Sequence, residues 1–161
     1  MPTLSDYFHF KEATLDLISE SEIEAIVELI NDAYSYQNEA KGEPRINKEK
    51  LRQRVASSQF YVVMNDSQVA GCVYTELARR YLHFGLLTVA PSLRGTGLGT
   101  AIMLAIEEYA RDLNCEAIEL DYMSLAPWLK PYYEKYGYAE TGETTHWGTI
   151  DLIRMIKSLH E

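Results

Sequence analysis

A chain of 161 residues is about one domain long and buries roughly two-thirds of its unfolded surface, so a single domain over residues 1–161 is expected. With 47% hydrophobic and 24% charged residues and only 9 Gly and 5 Pro, the composition excludes collagen, low-complexity disorder and a coiled-coil rod. The net charge of −9 argues against duplex nucleic acid as a partner, and the absence of any long apolar run or of a basic-then-apolar leader argues against membranes and secretion. Cys72 and Cys115 have no CxxC neighbour, which speaks against a zinc site or a disulfide scaffold and fits a reducing, cytoplasmic compartment, and no metal centre is expected.

Phe8 to Ala13 alternates weakly and reads as a first strand, and Ser21 with Glu24 forms a capping box for a helix whose apolar face runs from Ile23 to Tyr34. Ser35 to Pro44 is polar and reads as a loop. Asn47 caps a second, short helix carrying Leu51 and Val55, and Phe60 to Met64 is a buried strand. Gln68 to Glu76 and Tyr81 to Val89 follow as further strands of an antiparallel meander. Beyond Pro91 and a glycine-rich loop, Leu98, Ala101, Ile102, Ala105, Tyr109 and Leu113 mark a long helix. Ala117 to Asp121 is a strand, Trp128 to Tyr136 a short helix, and Tyr138 to His146 with Ile150 to Leu159 a closing hairpin. The element order predicts an α+β fold with a mostly antiparallel sheet and one parallel step across the long helix.

The segment from Leu87 to Thr100 joins a strand to a helix through Gly95, Gly97 and Gly99. Such a junction holds anions, because unpaired N–H groups point outward, the helix dipole favours negative charge and glycines let a pyrophosphate approach the backbone. A Walker loop is excluded because Gly99 is followed by Thr100 and Ala101 where a Lys and then a Ser or Thr would be needed. A dinucleotide fingerprint fits poorly, since the glycines are spaced GxGxG and too little chain follows Asp121 for the remaining βαβ units.

Arg94-Gly95-Thr96-Gly97-Leu98-Gly99 resembles the R/Q-x-x-G-x-G/A signature of the GNAT acetyltransferase superfamily, preceded by a strand ending Leu-x-Val-x-Pro, and Tyr132 to Tyr138 resembles that family's L-Y-E-K-x-G-F segment. The resemblance implies a sheet splayed between the fourth and fifth strands and flanked by about four helices. It also implies acetyl-CoA as co-substrate, its pyrophosphate on Arg94, Gly95, Thr96, Gly97, Leu98, Gly99 and Thr100 and its pantetheine arm along Leu87, Thr88 and Val89. The reaction implied is transfer of the acetyl group to an amine, either a small cationic amine or a protein amine. Dimers are frequent in the family, so a homodimer is the assembly to look for.

By the same resemblance Tyr133 is the acid that protonates the departing sulfur, with Tyr132 as its rival, and the base is Asp121, ranked slightly ahead of His83 on the neighbouring strand. Ala126 stands where the family often has Asn. Asp16 to Glu49 holds nine acidic and three basic side chains, either a field that gathers a cationic acceptor or a solvated face. Tyr34, Tyr36, Tyr122 and Trp147 are candidates for an aromatic wall around the acceptor, and Arg79, Arg80, Lys130 and Lys135 for the cofactor's outer phosphate. A second class of function stays open, a non-catalytic sensor of acyl-CoA.

Overall fold

Ser19 starts the first helix by pairing reciprocally with Glu22: its hydroxyl accepts from the Glu22 N–H (3.1 Å), and the Glu22 carboxylate accepts from the Ser19 N–H (3.0 Å). Ile18 and Ile23 flank this cap in one apolar cluster, a hydrophobic staple. That staple explains why α1 (Glu20–Ala33) begins here and not at Ser21–Glu24, which has the same spacing but is flanked by Glu20 and Ala25. The structure, a computed structural model, describes residues 2–160.

The stretch read as a loop after α1 holds a 3-10 turn (Ser35–Gln37) and the one-turn helix α2 (Asn38–Lys41), stopped by Gly42 at φ +74°. Buried Gln37 donates to the Asn38 side chain (2.7 Å) and the Glu43 carbonyl (2.9 Å), polar satisfaction that no apolar pattern announces. Asn47 caps α3 (Lys48–Ser57), its side-chain oxygen accepting from the Lys50 N–H at 2.8 Å.

The described residues form one seven-stranded sheet in the order β1-β2-β3-β4-β5-β7-β6, with β1 (Lys11–Ala13) shorter than expected. β2 (Gln59–Asn65), β3 (Gln68–Ala78) and β4 (Tyr81–Val89) make the antiparallel meander. α4 (Leu98–Asp112) crosses over to β5 (Ala117–Met123), which lies parallel to β4. α5 (Leu129–Glu134) precedes the hairpin of β6 (Ala139–Trp147) and β7 (Ile150–Ser158), and β7 pairs antiparallel with β5. Five helices are present among the described residues, where about four were expected.

α4 covers one face, its Ile102 and Ile106 in one cluster with Phe84, Ile118, Leu120 and Met155 of the sheet. α1 and α3 cover the other, Ile26, Ile30 and Leu51 clustering with Phe60, Val62 and Leu86 of the sheet. Among the described residues no helix is long and apolar enough to cross a membrane.

Candidate active site

Leu82 and Phe84 of β4 face the α4 cluster and Leu86 the opposite one, but Leu87 and Val89 return to the α4 side. A bulge causes the change of phase: the register against β3 shifts between Cys72 and Tyr74, and Leu86 sits at φ +53°. Gly85 is required beside it, because a Cβ there would lie 2.5 Å from the Tyr74 ring. The Thr88 hydroxyl braces the bulge by donating to the Leu86 carbonyl at 3.0 Å. β4 pairs with β5 only from Tyr81↔Ala117 to His83↔Glu119, and from Phe84 to Val89 its edge has no β5 partner. The expected splay between the fourth and fifth strands is present.

A cleft of about 550 Å³ opens at the splay, lined by Leu87, Thr88 and Val89, by Arg94, Gly95 and Gly99, by Tyr132 and Tyr133, and by Tyr34, Tyr36 and Trp128. Gly95 and Gly97 hold φ +81° and +90°, and a Cβ at either would meet no atom within 4 Å, so the glycines serve backbone conformation beside open space. Gly97 is the N-cap of α4 and offers no side-chain cap, which leaves the first-turn N–H groups, including those of Leu98, Gly99 and Thr100, for an outside acceptor. The side chains between them are occupied: Thr96 donates to the Leu93 carbonyl (2.5 Å), Leu98 packs on the core, and Thr100 pairs with the Tyr136 hydroxyl (2.7 Å). What the loop presents is backbone and the exposed Arg94, a set that fits a pyrophosphate.

The two tyrosines of α5 point to different places. A Cβ on Gly99 would lie 3.1 Å from the Tyr132 hydroxyl, so Tyr132 belongs to the loop, where Lys135 lies over its ring at 4.6 Å and burial pushes its phenol up to about 12. Tyr133 is buried edge-on between Phe84 (6.3 Å) and Tyr138 (6.2 Å), at the splay. Its hydroxyl makes no hydrogen bond among the described residues, and burial raises its pKa well above that of a free phenol, which keeps it a neutral donor.

His83 and Asp121 lie on the opposite face, at the point where pairing of β4 and β5 stops. Asp121 does not end its strand, which runs on to Met123, and both its oxygens accept from Arg154 (2.7 and 3.2 Å) while Arg154 also donates to Glu119 (2.8 Å). His83 is held more loosely, its Nδ1 3.7 Å from the Glu119 carboxylate and its ring 6.0 Å from that of Tyr74. Burial lowers the His83 pKa below the ordinary imidazole value, against the pull of Asp121 and Glu119, so it is a neutral acceptor at pH 7.

The acceptor side differs from the sequence reading. Tyr34, Tyr36 and Trp128 form the aromatic wall, with ring centroids 5.9 and 5.3 Å apart, whereas Tyr122 is buried on the α4 face and donates to Glu140 at 2.5 Å. Trp128 was missed as a wall residue, although an exposed Trp between Pro127 and the start of α5 was a signal. The acids of α1 are partly spent: Glu20 pairs with Lys48 (3.1 Å) and Arg52 (2.6 Å), Glu24 with Lys48 (3.0 Å), and Glu22 with Lys11 (2.5 Å). Of the four cations offered for the outer phosphate only Lys135 borders the loop. Arg79 and Arg80 sit at the far end of β4, roughly 30 Å of strand away, with Arg80 on Glu116 (3.3 Å), and Lys130 pairs with Glu140 (3.6 Å). Ala126, where an Asn was looked for, is buried in a turn with its N–H on the Met123 carbonyl (2.9 Å).

A sheet splayed beside a glycine-rich helix start defines the class to which comparison then gives a name. The acetyltransferase (GNAT) domain family matches residues 30–159, and the chain belongs to that family. An acetyltransferase of Agrobacterium fabrum is 32% identical over 78 residues, a match spanning 48% of this chain and 56% of that protein, little more than half the relative's length. Among solved structures, the smu.2055 protein of Streptococcus mutans superposes with a TM-score of 0.74 at 21% identity, over 95% of this chain and 100% of that one. The ribosomal-protein-S18-alanine N-acetyltransferase of Escherichia coli gives 0.69 at 13% identity, over 94% and 95%. At these identities the likeness is one of fold.

Proposed function

We propose that this protein is an N-acetyltransferase that moves the acetyl group of acetyl-CoA directly to an amine. The observation that carries the reading is the meeting, in one cleft, of the open glycine loop, the unpaired edge of β4 and Tyr133, whose hydroxyl has no partner among the described residues. In this reading the backbone at Gly95, Gly97, Leu98, Gly99 and Thr100, with Arg94, holds the pyrophosphate, and the free edge of Leu87, Thr88 and Val89 takes the pantetheine amides. Neutral His83 removes a proton from the acceptor ammonium, directly or through water. The freed nitrogen bonds to the acetyl carbon, the carbon–sulfur bond breaks, the departing thiolate takes its proton from Tyr133, and the second proton of the acylated nitrogen passes to the Tyr133 phenolate, directly or through water. Asp121, with both oxygens on Arg154, is the poorer base and serves to anchor the strand beside His83. The free, buried thiols of Cys72 and Cys115 support a cytoplasmic location.

The test is release of free thiol from acetyl-CoA on addition of an amine panel, with calorimetric titration of CoA alongside. Amine-dependent thiol release supports the enzyme. CoA binding without thiol release on any amine supports the sensor instead.

A further inference from the structure

In this acidic chain most cations already have a partner. Ten of the 15 lysines and arginines lie within salt-bridge distance of a carboxylate, which leaves Lys41, Arg45, Arg79, Arg94 and Lys135 without one among the described residues. Arg94 and Lys135 border the glycine loop, where a pyrophosphate accounts for them, and Arg79 is in the exposed β3–β4 turn. Lys41 and Arg45 remain, both against Trp147 and outside the lining of the cleft, behind its Tyr34 wall. The Lys41 ammonium lies 3.8 Å from the centre of the Trp147 ring and the Arg45 guanidinium 5.0 Å from it.

Arg45 also lies 5.8 Å over the ring of Tyr34, whose hydroxyl donates to the Leu87 carbonyl at 3.4 Å, so one tyrosine ring separates the guanidinium from the splayed part of β4. Its Nε is buried and has no hydrogen-bond partner, an unmet donor that an anionic acceptor atom would satisfy. Space exists beside it, since Arg45 borders a hollow of about 330 Å³ together with Lys50, Arg54 and Leu86. Two cations that contact one tryptophan and have no carboxylate partner, one of them with a buried donor to fill, are poorly suited to receive a polyamine. They suit a carboxylate, which matches the planar fork of a guanidinium.

We propose that Arg45, with Lys41 as the second cation, binds a carboxylate carried by the acceptor, so that the acceptor is an amine of amino-acid type. This rests on the acetyltransferase reading of the same cleft and replaces the cationic acceptor suggested by the acidic N-terminal segment. Lys41 and Arg45 also hold the tip of the β6–β7 hairpin against α2, where Thr149 donates to the Ala40 carbonyl at 3.0 Å, so the experiment must separate recognition from support.

Thiol release is measured with free L-amino acids, their carboxamides and the corresponding decarboxylated amines, with phosphoethanolamine as a phosphate arm. The expected result is a kcat/KM at least about tenfold higher for a free amino acid than for its carboxamide. Arg45→Gln brings that ratio close to one through KM, Arg45→Lys restores part of it, and Lys41→Gln has a smaller effect. A merely structural Arg45 would lower all acceptors together and leave the ratio alone, which overturns the proposal, as does preference for the carboxamide, the decarboxylated amine or phosphoethanolamine. Calorimetry with N-acetyl-amino acids in the presence of CoA reads the same site without turnover. Arg45-dependent binding there with no thiol release on any amine sinks the enzyme and keeps the carboxylate site, and turnover indifferent to the carboxylate does the reverse.

Discussion

The two ends of the cleft are built in opposite ways. The cofactor end is contiguous: Arg94 to Thr100 and the first turn of α4 are one stretch of chain, joined to Tyr132 and Lys135 a helix and a strand later. The opposite end is walled by Tyr34 after α1 and Trp128 before α5, and behind Tyr34 lie Arg45 after α2 and Trp147 at the β6–β7 turn. A pyrophosphate is an invariant ligand that backbone N–H groups recognise, so its site is a local motif. In the proposed reading the acceptor meets side chains brought from separate connections, which gives such a site freedom to change without disturbing the sheet.

Variants that act on one end alone sharpen this contrast, and the largest effect is expected between the ends, at the reacting centre. Tyr133→Phe removes one hydroxyl and little volume, so kcat is expected to fall by about 10²–10⁴-fold while CoA affinity and melting temperature stay close to normal. Tyr132→Phe, at the loop, is expected to shift CoA affinity and spare kcat. If Tyr132→Phe loses kcat and Tyr133→Phe keeps it, the acid has been misassigned by one residue.

His83 should come next. Because burial lowers its pKa, the neutral form persists to lower pH than that of a free imidazole, and kcat/KM is expected to drop only in buffer more acidic than the ordinary imidazole value, as the ring gains its proton. His83→Asn is expected to cost about a hundredfold and to remove that acidic limb. A limb that survives the substitution assigns the base elsewhere, with Asp121 the first alternative.

Gly85→Ala probes the bulge between the two ends. Its methyl group would meet the buried Tyr74 ring at 2.5 Å, and displacing that ring is expected to cost about 1–3 kcal/mol in thermal or urea denaturation. Unchanged stability would mean that Tyr74 yields freely and the glycine is not required. The smallest effect belongs to the acids of α1: Glu20→Gln with Glu24→Gln removes exposed ion pairs with Lys48 and Arg52 and is expected to change kcat/KM less than about twofold. A larger fall would restore the acidic field as an acceptor determinant.

The same contrast explains what could be read from the sequence. The bounds of β4, the start of α4 at Leu98 and the Asn47 cap follow from local chemistry and stand in the structure as expected. The splay of β4 from β5 came through the family resemblance, since the bulge at Leu86 interrupts the alternation of its strand by one residue in an otherwise ordinary apolar run. Asp121 read as a free carboxylate because Arg154, its partner, lies 33 residues away on β7. Arg45 and Lys41 were unremarkable for the corresponding reason: a cation stands out only once the others are seen to be paired, and that pairing exists in three dimensions alone.

The claim on which the account turns is that the loop from Arg94 to Thr100 holds the pyrophosphate of CoA, and titration of CoA into the wild type and Gly97→Val tests it most directly. Gly97 sits at φ +90° with no atom within 4 Å of where its Cβ would be, so valine there is expected to strain the loop, stand in the ligand's path and weaken CoA binding by at least about tenfold in a protein that remains folded by circular dichroism. A folded Gly97→Val protein that binds CoA with wild-type affinity would contradict the account.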